Sequence, residues 1–271
     1  METQVRQCQG TSAPVFCFMA LVLALTTSGL VNLVGADGAS SGKKVALLII
    51  DVQECFLPGG SLSVNEGNEV IPVINWIREA YEDKFSVVAV TKDWHCARHV
   101  SFASSHSGKT PFEDVTLREI NQTLWPDHCV QNVGSGPTSS KLDATLKREA
   151  SDVDFYSSFY DIGRFGMTNL HSTLQSHGID TIIITGLALD YCVKYSALDG
   201  QFLGYKVYVV QDATRSVAMD TSNEALTEFS EHGIDYIDTT MLGGVLRGAA
   251  STEVILSPAL VSAWLCAYLL L

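Results

Sequence analysis

Apolar residues along this chain come in short runs separated by amphipathic stretches. Four runs, VALLII at 45–50, SVVAV at 86–90, TIIIT at 181–185 and VYVV at 207–210, are rich in β-branched residues and flanked by polar ones. Continuous apolar runs of this length predict strands buried on both faces, as in a parallel sheet. Between them, residues 70–81, 165–177 and 191–203 carry apolar positions at helical spacing. The repeated β-α-β order predicts an α/β fold: a three-layer α/β/α sandwich around a mainly parallel, doubly wound sheet with right-handed crossovers. In such a sheet the ligand site lies outside the carboxyl ends of the strands.

Two further apolar segments sit at the ends. Residues 1–36 hold one basic residue, Arg6, before an apolar stretch at 13–25, and close on Val34-Gly35-Ala36. That layout is a secretory signal peptide with the mature start near Asp37, an uncleaved signal anchor being the alternative. After Arg247 come small residues, a short spacer and an apolar tail to Leu271. This order is the signal for a GPI anchor, attached among Gly248, Ala249, Ala250 and Ser251, with 251–271 removed. A tail-anchored spanning helix is the other reading. Residues 37–250 then form one domain, on the secretory route and facing outward from the cell membrane.

Charge narrows the partners. The net charge is −13, which disfavours nucleic acid and anionic lipid surfaces. Asn121-Gln122-Thr123 is an N-glycosylation sequon. Of seven cysteines, Cys8, Cys17 and Cys266 lie in the segments expected to be removed. Cys55, Cys96, Cys129 and Cys192 remain, in a domain large enough not to need disulfides.

Chemistry gathers at the strand ends. The first run leads into Asp51-Val52-Gln53, the second into Lys92-Asp93-Trp94-His95, and the third into Gly186-Leu187-Ala188-Leu189-Asp190-Tyr191-Cys192. Cys192 falls in the first turn of a helix, where the macrodipole and free N–H groups favour a thiolate, so it is the candidate nucleophile. Asp93 and His95 share one side of an extended segment because strand side chains alternate. His99 follows, and His128 lies in a later Trp-Pro-Asp-His-Cys loop. Carboxylate and imidazole together suit zinc, iron or manganese.

The segments IIDVQECF, TKDWHCARHVSFASSH, LWPDHCV, KREASDVDFYSSF and TGLALDYCVKYSALD resemble, in order, those of the isochorismatase-like hydrolase superfamily, and within it the nicotinamidases. The resemblance implies hydrolysis of nicotinamide to nicotinate and ammonia through a cysteine thioester. It implies a triad of Asp51, Lys147 and Cys192; Arg148 follows the lysine where the family usually has glycine, so Lys141 stays open as its alternative. It implies an oxyanion hole from the N–H groups of Ala188 and Cys192, with a cis Leu187-Ala188 peptide. One divalent metal, zinc foremost, would be held by Asp93, His95 and His128, with His99 either a ligand or supporting one. Gln53, Phe56, Trp125, Tyr156 and Tyr191 fall on the pocket wall, Tyr191 where some relatives have histidine. With Cys96 and Cys129 each next to an implied ligand, a Cys96–Cys129 disulfide or two free thiols are both open. The rival functions are another amidase or carbamoyl hydrolase, or an inactive surface protein that binds nicotinamide. Oligomeric state is not legible.

Overall fold

The computed structural model describes residues 42–131, 146–149 (backbone only) and 154–247. The expected signal peptide, the C-terminal tail with its attachment residues, Lys141 and the Gly/Ser-rich loop at 134–140 lie outside the described residues. In chain order the elements are β1 (Val45–Ile50), α1 (Val70–Ala80), β2 (Phe85–Trp94), a hairpin of β3 (Asp114–Leu117) and β4 (Ile120–Thr123), β5 (Leu146–Glu149), α2 (Leu170–Ser176), β6 (Thr181–Leu187), α3 (Lys194–Phe202), β7 (Lys206–Arg215), α4 (Met219–Glu231), β8 (Asp235–Ile237) and α5 (Thr239–Val245). Six strands form one parallel sheet in the order β5-β2-β1-β6-β7-β8. The predicted α/β architecture is the observed one.

β1 shows why the run VALLII had to be central. Its alternate residues feed two cores. Val45, Leu47 and Ile49 belong with Val70, Ile74 and Ile77 of α1 and Leu242 of α5. Ala46, Leu48 and Ile50 belong with Leu170 and Leu174 of α2, Ala197 of α3 and Phe229 of α4. All six β1 residues are fully buried, and each large side chain so buried contributes about 1.5–3 kcal/mol. Helices on both faces make the three layers.

Several boundaries differ from the pattern-based expectation. β2 and β7 run on to Trp94 and Arg215, because strand pairing continues past the apolar runs, to β5 through Trp94 and to β6 through Arg215. The helix expected at 165–177 begins only at Leu170. The one expected at 191–203 begins at Lys194, after a π-helical turn spanning Leu189–Val193. α4 buries only Ala225 and Phe229, with Leu226 packed partly buried beside them, a stripe too thin to stand out in the sequence. Among the described residues no helix is long and apolar enough to cross a membrane.

The carboxyl ends of β1, β2 and β6 converge. Asp51 leaves β1 in the left-handed region at φ 47°, a conformation rare for non-glycine residues and concentrated at functional sites. β6 crosses close to β1 at Gly186, whose φ is +112° and where a Cβ would stand 2.0 Å from the Ile50 carbonyl oxygen. The Leu187–Ala188 peptide that follows is cis, as expected.

Candidate active site

Asp93 on β2 and His95 just beyond it face His128 across a parallel bridge between the two segments. The His95 N–H donates to the Cys129 carbonyl at 3.2 Å, and the Gln131 N–H donates to the His95 carbonyl at 2.8 Å. Asp93 Oδ2 stands 3.3 Å from His95 Nε2 and 3.5 Å from His128 Nε2. All three side chains are buried, and one ligand atom from each falls within 4.8 Å of the others. Tetrahedral zinc, with bonds of about 2.0–2.2 Å, would set neighbouring ligand atoms about 3.3–3.6 Å apart, and both separations from Asp93 lie in that range. The His128 Nδ1 contacts the Pro126 carbonyl at 2.8 Å. A carbonyl only accepts, so Nδ1 carries the proton and Nε2 presents its lone pair. The donor set fits a divalent metal and leaves a coordination position for a ligand.

A second, overlapping group joins His95, His99 and Asp154, all buried. The Ser101 N–H donates to His99 Nδ1 at 3.3 Å, and Ser101 Oγ is 2.7 Å from the same nitrogen. Burial, then the neighbouring His95, holds the His99 imidazole at a pKa of about 4. The unfolded chain therefore binds a proton near pH 6.5 that the fold refuses until about pH 4. Stability of the metal-free protein should fall as pH drops through that window, by about 3 kcal/mol. Thermal melts across pH 4–7 check this, and His99→Gln should flatten the slope.

Asp51 is fully buried. Its Oδ1 accepts from the Thr91 hydroxyl at 2.7 Å, and its N–H donates to the same hydroxyl oxygen at 3.3 Å. Lys147 sits on β5, paired in register with Lys92 of β2, so its backbone lies at the edge nearest the metal-binding strand. Its side chain is outside the described residues.

Cys192 lies in the π-helical turn, closed by the Val193 N–H donating to the Ala188 carbonyl at 3.1 Å. Single π-turns of this kind recur at functional sites. Cys192 is buried, and among the described cysteines it is the one outside a disulfide. With Ala188, Asp93 and His128 it lines a cleft whose apolar walls include Phe56, Trp125, Tyr156 and Tyr191. The rings brace one another edge to face: Trp125 and Tyr191 at 4.9 Å, Trp125 and Tyr156 at 6.3 Å. Tyr156 accepts from Trp125 Nε1 at 2.8 Å and from Gln122 Nε2 at 3.2 Å. Burial, then Asp154, drives the Tyr156 phenol well above its ordinary pKa, and burial with Asp190 raises that of Tyr191. The walls are flat, neutral and suited to an aromatic ring.

Two expectations are corrected here. Cys129 bonds to Cys55, with Cα atoms 5.4 Å apart, so the Cys96–Cys129 bridge does not form; Cys96 is disulfide-bonded elsewhere. Adjacency to a ligand was a poor guide, because Cys129 follows His128 in a left-handed conformation at φ 45° and its Sγ meets Cys55 of a distant segment. Gln53 is not among the cleft's lining residues. Its amide instead spans the Asp93 backbone, accepting from Asp93 N–H at 2.7 Å and donating to the Asp93 carbonyl at 3.0 Å.

The cleft also holds residues that sequence reasoning passed over: Leu62, Val64, Asp154 and Val217. Asp154 could have been noticed two residues before Tyr156, the spacing that puts both on one side of an extended segment. Nothing local in the sequence marks the other three.

The comparisons with known proteins agree with this geometry. The Isochorismatase domain matches residues 45–241. The nicotinamidase of Escherichia coli is 41% identical over 186 residues, which are 66% of this chain and 87% of that protein. The yeast nicotinamidase bound to the inhibitor nicotinaldehyde superposes with a TM-score of 0.67 at 32% identity, covering 72% of this chain and 100% of its own. The pyrazinamidase of Pyrococcus horikoshii in complex with zinc gives 0.60 at 29% identity, over 72% and 99%. Matched across its sheet and along nearly the whole length of these relatives, the chain belongs to the isochorismatase-domain family, in its nicotinamidase branch.

Proposed function

We propose that this protein hydrolyses nicotinamide to nicotinate and ammonia, with Cys192 as nucleophile. The observation that carries the reading is a single cleft in which that thiol, the Asp93 and His128 side chains and an aromatic box meet. An aromatic amide fits between the rings with its carboxamide at Cys192.

Asp51 takes the Cys192 proton, and the ammonium of Lys147 steadies the thiolate. The thiolate attacks the amide carbon, and the negative charge on oxygen is met by the N–H groups of Ala188 and Cys192. Collapse breaks the C–N bond, and Asp51 returns the proton to the departing ammonia, leaving a thioester. Water, deprotonated by Asp51, attacks that thioester; the C–S bond breaks, nicotinate leaves and the proton returns to the thiol. A divalent metal held by Asp93, His95 and His128, zinc by the donor set, would bind the pyridine nitrogen and draw electron density from the ring. His99 supports this cluster from behind.

A panel of aromatic and aliphatic amides assayed for ammonia release tests the reading. Nicotinamide should lead it. Chelation should suppress the activity and added zinc restore it, and Asp93→Asn should lower kcat/KM by roughly 10²-fold or more. A metal-loaded protein that releases no ammonia from any aromatic amide would overturn it.

The site of action is also proposed: outside the cell, on a GPI anchor replacing 251–271 after removal of 1–36. The order of small, polar and apolar residues at the two ends supports it, as does the Cys55–Cys129 disulfide, which suits an oxidising compartment. Asn121, exposed on β4, is the expected glycan acceptor. Release of the activity from intact cells by phosphatidylinositol-specific phospholipase C tests the anchor; activity found only in cytosol contradicts it.

A further inference from the structure

The segment after β1 touches both halves of the metal cluster. Gln53 grips the backbone of Asp93 through two hydrogen bonds. Phe56 packs its ring 5.7 Å from the His128 imidazole. Between them Cys55 is covalently joined to Cys129, the immediate neighbour of His128. The segment is itself tightly folded, with the Phe56 N–H donating to the Gln53 carbonyl at 2.9 Å and the Leu62 N–H to the Cys55 carbonyl at 2.9 Å.

The two ligand segments differ in how they are supported. Asp93 belongs to β2, which pairs with β1 as far as Val90 and, at Asp93 itself, with Arg148 of β5. His128 lies in a loop, tied to the rest by the short bridges at His95 and at Phe102–Trp125, by the Ser104 hydroxyl donating to Asp127 at 2.6 Å and by Gln131 Nε2 donating to the Trp94 carbonyl at 3.0 Å, all of them non-covalent. Cys129 has φ 45°, a left-handed conformation that a non-glycine residue keeps only where its surroundings over-determine it. The disulfide supplies that constraint one residue from the ligand.

We propose that the Cys55–Cys129 disulfide is a positioning element of the metal site, holding the His128 loop against the β1 segment so that the metal is retained. Cys55 and Cys129 are positioning residues, and the proposal rests on the metal reading given above. The bridge gives the site a covalent tie between the segment bearing Asp51 and the one bearing His128. Hydrogen bonds alone would leave a loop ligand free to swing out, and ligand orientation governs affinity by roughly 10- to 100-fold.

The test compares the disulfide-intact protein with Cys55→Ala/Cys129→Ala. Both thiols are removed together, so that no unpaired thiol is left to take up added zinc or form a new disulfide. Zinc-loaded proteins are exposed to excess chelator, and the metal remaining is followed by atomic emission, without substrate. Zinc should leave the double variant at least tenfold faster, and its KM for nicotinamide should rise more than its kcat falls. A disulfide that only stabilises the fold would lower Tm while zinc release stayed at the wild-type rate, and that result overturns the proposal. Should the alanine pair fail to fold, Cys55→Val/Cys129→Ala fills the vacated space and is held to the same two outcomes. Wild-type protein that takes up no zinc overturns the proposal together with the metal reading, whereas lack of amidase activity alone leaves the release comparison decisive.

Discussion

Replacing Cys192 with alanine is expected to lower ammonia release from nicotinamide by roughly 10³-fold or more. No serine or threonine is among the cleft's lining residues, so no aliphatic hydroxyl stands ready to substitute for the thiol. The fold should survive. Losing one buried sulfur leaves a small cavity, costing about 1 kcal/mol, which in a domain of this size lowers Tm by about 2–4 °C. A coupled ammonia assay and a thermal melt on one preparation separate the two effects. A variant keeping a tenth of the wild-type rate would mean that water attacks the amide directly, and the thioester route would have to be abandoned.

The largest effect on stability is expected from Gly186→Ala. The Cβ would meet the Ile50 carbonyl oxygen at 2.0 Å and the Ile50 nitrogen at 2.7 Å, both backbone atoms of the adjacent strand that no rotamer change can move. The alanine would also have to hold φ +112°, outside the regions open to L side chains. Relief requires β1 and β6 to separate where Asp51 and the cis peptide emerge. A cost of about 4 kcal/mol or more corresponds to a Tm lower by at least about 8–16 °C, with activity lost alongside. Melting within a few degrees of wild type would show that the two strands do not approach as described.

Between these positions lies a general division in what the chain made legible. VALLII and TIIIT announced a buried parallel sheet, because only strands covered on both faces can be apolar at every position. Asp93 and His95 were readable as partners from strand alternation alone. Cys192 was readable from its place after a glycine-bearing turn, although the structure replaces the expected α-helical first turn with a π-helical one. The aromatic wall came from resemblance to the family, and Phe56, Trp125, Tyr156 and Tyr191 do meet in the cleft.

Other assignments depended on which loops fold back upon which. Cys55 and Cys129 are 74 residues apart, and no periodicity links them. Gln53 was expected on the pocket wall, but the turn after Asp51 aims its amide at the Asp93 backbone. Asp154 entered the cleft, and the cluster with His95 and His99, from a segment whose neighbours gave no metal-ligand spacing. Local pattern determined the strands, their carboxyl-end chemistry and the candidate nucleophile, because those depend on contacts between residues near in sequence or on the burial of whole elements. Tertiary structure alone decided the disulfide, the clamp on Asp93 and the full lining of the cleft, because these are meetings of distant loops whose geometry is set only when the layers pack.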